Sequence, residues 1–162
     1  MAVKTNAMRI LDKLKISYQV HEYPHGDEAV DGVTVAQLLG QDVSSVYKTL
    51  VTRGASSPEK AYYVFVIPVY AELDLKACAR AVKEKSVEMI HVKEINSITG
   101  YIRGGCSPVG MKKHFDTVFH EDIQSLDTVM VSGGKIGIQI ELAPSDLLAA
   151  TDGKTCDIIK HE

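Results

Sequence analysis

Along this chain the apolar positions change period several times, and each change predicts an element. Ala7, Ile10, Leu11 and Leu14 recur at helical spacing behind Thr5 and Asn6, either of which can cap a first helix. Tyr18 to Tyr23 then alternates, the period of a strand, and stops before Pro24. The polar run from His25 to Gly32 reads as a loop, after which Thr34 is placed to cap a short helix that Gly40 ends. Asp42 to Ser45 predicts a helical turn feeding a strand from Lys48 to Thr52. Arg53 to Pro58 is turn chemistry, and Ala61 to Val69 is the hairpin's return strand. Asp74 can cap a helix carrying Leu75, Cys78, Ala79 and Val82. A strand at Val87 to Ile90, a helix at Val92 to Ile98 and a short strand at Tyr101 to Arg103 follow. Further strands are expected near Thr117 to Phe119, Thr128 to Ser132 and Ile136 to Glu141, with Gly133-Gly134 as a hairpin turn. A helix at Pro144 to Ala149 and a strand around Cys156 to Ile159 complete the pattern. The expectation is one α+β domain over residues 1–162, a large, mostly antiparallel mixed sheet with short flanking helices.

Composition narrows the function classes. A hydrophobic fraction of 45% with 24% charged residues is ordinary for a soluble domain, so neither disorder nor a membrane span is expected. The start, Met1 to Asn6, lacks the apolar core of a signal peptide. Cys78, Cys106 and Cys156 are an odd count without paired spacing and read as reduced thiols in a cytoplasmic protein. The formal charge of −3 argues against a long basic surface for nucleic acid. It leaves room for a local patch such as Arg103, Lys112 and Lys113.

The richest candidate chemistry lies between Thr99 and Lys113, where Gly100, Gly104, Gly105, Gly110 and Pro108 punctuate one short stretch. Such a turn can aim backbone N–H groups into one concavity and suits an anionic or carbonyl oxygen. It is not a phosphate-cradling P-loop, because Met111 separates Gly110 from Lys112. Nor is it a hydrolase nucleophile elbow, because Val109 stands two places after Ser107. From these residues alone a plain turn fits as well as a binding loop. Lys48 opens an apolar strand, and on spacing alone a solvated lysine is the simpler reading. Tyr23 is open between core packing and a polar role. No metal or other cofactor is expected: Pro24 breaks the helical spacing of His21 and His25, and His114, His120 and Cys106 form no zinc-ligand pattern.

Taken in order, the motifs resemble one family. They run through His21-x-Tyr23-x-His25, Val46-Tyr47-Lys48-Thr49-Leu50, Leu73-Asp74-Leu75-Lys76, and Gly104-Gly105-x-Ser107-Pro108-x-Gly110-x-Lys112-Lys113. They end with Val131-Ser132-Gly133-Gly134-Lys135 and Ile140-Glu141-Leu142. In this set the chain resembles the YbaK/EbsC family of small trans-editing enzymes, which hydrolyse mischarged aminoacyl-tRNA, typically cysteine on the proline tRNA. The resemblance implies a YbaK-like fold and makes Lys48 the essential active-site residue. It implies backbone donors at Gly104 and Gly105 for the ester carbonyl or terminal ribose. Tyr23, Thr49, Ser107, Pro108, Ser132 and Gly133 are its implied substrate-binding residues, and Cys106 is assigned to packing. It also implies that the substrate's own thiol attacks its ester carbonyl, since no Ser-His-Asp or Cys-His arrangement is visible in the motifs. The implied partners are the aminoacylated acceptor end of tRNA and prolyl-tRNA synthetase. Ile136 departs from the family, where Arg commonly follows Gly-Gly-Lys, and this puts the amino-acid and tRNA preference in question. Two other readings stand beside it: a relative that removes alanine from the proline tRNA using water, and a silent module that docks on tRNA or a synthetase.

Overall fold

Two sheets meet along one edge in the computed structural model, which describes residues 4–55 and 61–161. Helix α1 (Asn6–Lys13) begins where its cap permits: the Thr5 hydroxyl accepts from the Met8 N–H at 3.2 Å, and Ala7, Met8 and Leu11 turn into the core. Strand β1 (Gln19–Glu22) leads through a loop to α2 (Gly32–Leu38). The cap of α2 is Asp31 rather than the expected Thr34. The Asp31 carboxylate accepts from both the N–H (3.0 Å) and the hydroxyl (2.7 Å) of Thr34, which places Thr34 inside the first turn. A carboxylate there also complements the positive end of the helix dipole.

Strands β2 (Tyr47–Gly54) and β3 (Tyr62–Pro68) form the expected antiparallel hairpin. The Ser56 to Pro58 part of its predicted turn, and Met1 to Val3 at the start, lie outside the described residues. Asp74 caps α3 (Leu75–Ala81) by accepting from the N–H groups of Lys76 and Ala77 at 3.1 and 3.2 Å. Strand β4 (Val87–Met89), a 3₁₀ turn (Val92–Glu94) and α4 (Ile95–Thr99) follow.

The short strand expected at Tyr101 to Arg103 does not form. Left-handed glycines bracket it, Gly100 at φ 85° and Gly104 at φ 82°, and neither continues an extended strand. The loop is pinned by side chains instead: the buried Tyr101 hydroxyl donates to the Val109 carbonyl at 2.6 Å, and Asn6 donates to the Gly110 carbonyl at 2.5 Å.

Strand β5 (Asp116–His120), a 3₁₀ turn (Glu121–Ser125), β6 (Val129–Lys135), β7 (Ile138–Leu142), α5 (Pro144–Thr151) and β8 (Lys154–Cys156) complete the chain. Gly133-Gly134 is not the hairpin turn. Both glycines lie inside β6, where the pairing with β7 slips between Ser132 and Lys135, and Ile136-Gly137 makes the turn with Gly137 at φ 93°.

The smaller sheet runs β1-β7-β6, antiparallel throughout. The larger runs β4-β2-β3-β5-β8, antiparallel among its first three strands and parallel from β3 to β5 and β5 to β8. The mostly antiparallel α+β expectation thus holds, with the sheet in two parts and the parallel pairs at one side. Central strand β3 is buried on both faces: Val64 and Val66 join the core with α1, β6 and β7, while Phe65 and Ile67 join Cys78, Val118 and Ile158. No helix of the described residues is long and apolar enough to cross a membrane.

Candidate active site

The two sheets part just where Lys48 begins. Val46 bridges Met130 in parallel, and the Met130 N–H donates to the Ser45 carbonyl at 2.9 Å. β2 then keeps β3 along one edge, but its other edge pairs with β4 only at Thr52 to Gly54. Ile90 donates to the Val51 carbonyl across that second edge at 3.3 Å. Two residues earlier, Thr49 presents its own backbone groups on the same edge, where no strand pairs. A cleft of about 530 Å³ opens in this gap.

Lys48 and Thr49 supply its polar floor. Lys48 is half-buried, and its ammonium makes no hydrogen bond or ion pair with a described residue. Burial lowers its pKa below the usual lysine range, and the Glu72 carboxylate partly opposes this. The Thr49 hydroxyl is buried without a partner among the described residues.

The glycine loop meets the cleft at one point. The Gly105 N–H donates to the Ile102 carbonyl at 2.9 Å and closes a β-turn whose third residue, Gly104, has the positive φ that such a turn requires of glycine. Gly104 lines the cleft, whereas the Gly105 N–H is engaged within the turn, which corrects the expectation of two free donors. A side chain at Gly104 would meet Ala29 at 2.7 Å, and one at Gly105 the backbone of Lys135 and Ile136 at 3.0 Å, so the loop seats directly on the β6–β7 turn. Ser107 and Pro108 are buried behind the loop and line no part of the cleft. The Ser107 hydroxyl accepts from the Val109 N–H at 3.3 Å, and Pro108 faces a separate hollow of about 190 Å³.

Of the predicted pair on β6, Ser132 lines the cleft and Gly133 does not. The Gly133 carbonyl accepts from the Thr5 hydroxyl at 2.5 Å, tying β6 to the cap of α1. Tyr23 is buried and also forms part of the wall, its ring edge-on to His25 at 6.3 Å, so packing and site placement coincide. The fold thus brings together Tyr23, Lys48, Thr49, Gly104 and Ser132, and leaves Gly105, Ser107, Pro108 and Gly133 behind them. Ile136, the position at which the resemblance implied an Arg, is buried against Gly104 and is a packing contact here.

Sequence reasoning missed four contributors. Gln139 and Tyr47 are buried, line the cleft and carry polar atoms without a partner among the described residues. Alternation in Ile138–Leu142 groups Gln139 with Glu141 on a polar face, and nothing in the sequence separates them. Met89 and Val92 give the cleft an exposed apolar rim. The proposed basic patch is divided: Arg103 reaches the cleft without an ion pair among the described residues, Lys112 donates to the Ser97 carbonyl at 3.3 Å, and Lys113 lines the smaller hollow.

The thiols and imidazoles are otherwise placed. Cys106 borders the cleft, but burial pushes its thiol up to about 11, so it is not a thiolate at neutral pH. His21 contacts Glu141 at 2.8 Å, His114 contacts Asp152 at 3.8 Å, and buried His120 contacts Asp122 at 3.3 Å. Among the described residues no three potential ligands converge on a metal position.

The cleft thus combines a half-buried lysine, a glycine turn and a thiol that burial keeps protonated. Comparison with known proteins supplies the family. Residues 27–150 match the profile of the aminoacyl-tRNA editing domain. A protein of Enterococcus faecalis (strain ATCC 700802 / V583), named there as the Cys-tRNA(Pro)/Cys-tRNA(Cys) deacylase EbsC, is 44% identical over 159 residues, 98% of this chain and 95% of its own. A crystal structure reported as a trans-editing enzyme for prolyl tRNA synthetase has a TM-score of 0.80 at 24% identity, covering 99% of this chain and 100% of that one. Hypothetical protein APE2540 has a TM-score of 0.84 at 22% identity, covering 96% and 100%. At those identities the two structures establish the fold. The chain belongs to the aminoacyl-tRNA editing domain family, and its activity is hydrolytic editing of mischarged aminoacyl-tRNA.

Proposed function

We propose that this protein deacylates cysteinyl-tRNA, in the first place cysteine carried by the proline tRNA, with Lys48 as its central site residue. The observation that carries this reading is the Lys48 ammonium, half-buried in the cleft and without a hydrogen-bond or ion-pair partner among the described residues. A cation held that way is available to a ligand oxygen, and its charge acts more strongly in a partly water-excluded cleft than in bulk water.

The cysteine ester brings its own nucleophile. Its sulfur bonds to the ester carbonyl carbon, the bond to the terminal ribose oxygen breaks, and the thiol proton passes to that oxygen. A thiolactone leaves, and water then opens it to free cysteine. The protein's part is to hold the ester and polarise its carbonyl. Lys48 takes the ester oxygen or the terminal nucleotide, the Gly104 N–H faces the developing oxyanion, and Thr49 and Ser132 offer hydroxyls. The raised pKa of Cys106 supports a substrate thiol over a protein thiol as nucleophile. The name of the Enterococcus faecalis relative supports cysteine as the amino acid removed.

Three further points belong to the same reading. The editing unit extends beyond the matched 27–150, because α1 and β1 pack and pair with elements inside that range. Prolyl-tRNA synthetase is the partner that presents the tRNA, and the cytoplasm, where charged tRNA and reduced thiols coexist, is the compartment.

The test is loss of labelled amino acid from cysteinyl-, alanyl- and seryl-tRNA of one tRNA body. Cysteine should leave fastest and pass through the thiolactone. Equal rates for cysteine and alanine would replace the substrate-thiol mechanism with an activated water.

A further inference from the structure

Three side-chain polar atoms among the described residues are buried without a hydrogen-bond partner, and all three belong to residues lining the cleft: the Tyr47 hydroxyl, Thr49 Oγ1 and Gln139 Oε1. Buried polar groups in folded proteins are paired with few exceptions, and an exception calls for a ligand, a catalytic role or a bound water. That the three coincide with one cleft points to a ligand.

Gln139 is the most restrictive of the three. It is 7% exposed and sits on β7 opposite Ser132, so both side chains stand on one face of the sheet. A hydroxyl such as that of Tyr47 or Thr49 turns to donate or accept, but an amide oxygen only accepts. Whatever satisfies Gln139 Oε1 must therefore bring a donor.

An aminoacyl ester offers acceptors at its carbonyl and ester oxygens, which suit the Lys48 ammonium and the Gly104 N–H. Its α-amino group has the opposite need and is repelled by Lys48. Asp31, which also lines the cleft, is already engaged by the N–H and hydroxyl of Thr34 as the cap of α2. Among the described residues that leaves Gln139 Oε1 as the buried, unpartnered side-chain atom of the cleft that can only accept.

Resting on the editing reading of this cleft, we propose that Gln139 is a specificity-determining residue that receives the substrate's α-amino group and so restricts the site to acyl esters bearing a free amine. The acceptor is neutral, since Gln139 carries no charge, and the cationic amine as donor makes the hydrogen bond charge-assisted.

The test uses two esters on one tRNA body: cysteinyl, and 3-mercaptopropionyl, which keeps the thiol and lacks the α-amino group. Each rate is divided by the uncatalysed rate of its own ester. Wild-type protein should prefer the cysteinyl ester by about tenfold or more in kcat/KM. Gln139→Leu should lose that preference by slowing on the cysteinyl ester alone. Its melting temperature should not fall, because an unpartnered acceptor has been removed. Gln139→Glu, which still accepts, should keep the preference. A Gln139→Leu protein with the wild-type ratio overturns the assignment, as does a wild-type protein that treats both esters alike. A lowered melting temperature with the ratio unmoved identifies Gln139 as a packing residue and overturns it too. Wild-type protein inactive on both esters overturns the editing reading itself, and this assignment with it.

Discussion

At the scale of single residues, the cleft holds groups in states that favour a ligand over the fold. Lys48 has its pKa lowered by desolvation against the opposing Glu72 carboxylate, so the unfolded chain binds that proton more tightly than the folded one. The cost of a charged Lys48 is fully present below its folded pKa and fades as pH rises from there to the unfolded value. Lys48→Met should accordingly abolish deacylation while melting at or slightly above the wild-type temperature at pH 7. That advantage should shrink as the pH is raised into the lysine range. A lower melting temperature at pH 7, or retained loss of labelled cysteine from tRNA, would remove Lys48 from the role assigned to it. Cys106→Ala makes the complementary prediction: with its thiol pushed up to about 11, the residue is a packing group, and the variant should keep its deacylation rate within about twofold. The family motif singles out Lys48 in the sequence. Gln139 is not legible there, because strand alternation treats it like the more exposed Glu141 and only the neighbouring strands decide which of the two is covered.

At the scale of elements, caps and turns separate stability from activity. Asp74 caps α3 away from the cleft, so Asp74→Ala should lower stability by about 1 kcal/mol in denaturant titration and leave the deacylation rate unchanged. Gly104→Ala should do both kinds of damage. Its φ of 82° is unfavourable for alanine, a strain of about 1–3 kcal/mol, and the new methyl would meet Ala29. Because the same turn borders the cleft, kcat/KM should fall on the order of 10²-fold through misplacement of the ester. A variant with wild-type kinetics would show that this turn does not position substrate. The helices were readable because polar caps stand directly before apolar periods at Thr5 and Asp74. Tyr101 to Arg103 and Gly133-Gly134 were misread for one reason: glycine marks a backbone irregularity without saying whether it is a turn, a bulge or a close contact.

At the scale of the whole molecule, the formal charge of −3 and the divided basic patch limit how the protein can hold tRNA. Lys48 and Arg103 are the cations at the cleft without an ion pair among the described residues, enough for about two phosphates at the acceptor end. A binding titration with proline tRNA should give a slope of log K against log salt no steeper than about −2, at roughly −0.7 to −0.9 per phosphate. Deacylation at low tRNA concentration should rise when prolyl-tRNA synthetase is added. Tight binding by the protein alone, with a steep slope and discrimination among tRNA bodies, would rule out partner-dependent recognition.

The sequence by itself determined most of the local elements and the fold class, because capping, helical period and strand alternation act over a few neighbouring residues. It also carried the family, because the order of several short motifs constrains the chain more than any one of them does. Only the tertiary structure decided which residues share the cleft. The gap beyond the Val46–Met130 bridge depends on two sheets separating, and it places Gln139 of β7 and Tyr47 of β2 in one cleft while turning Ser107 and Pro108 away. Contacts across such distances follow from how strands pair and where pairing stops, and no local pattern encodes that.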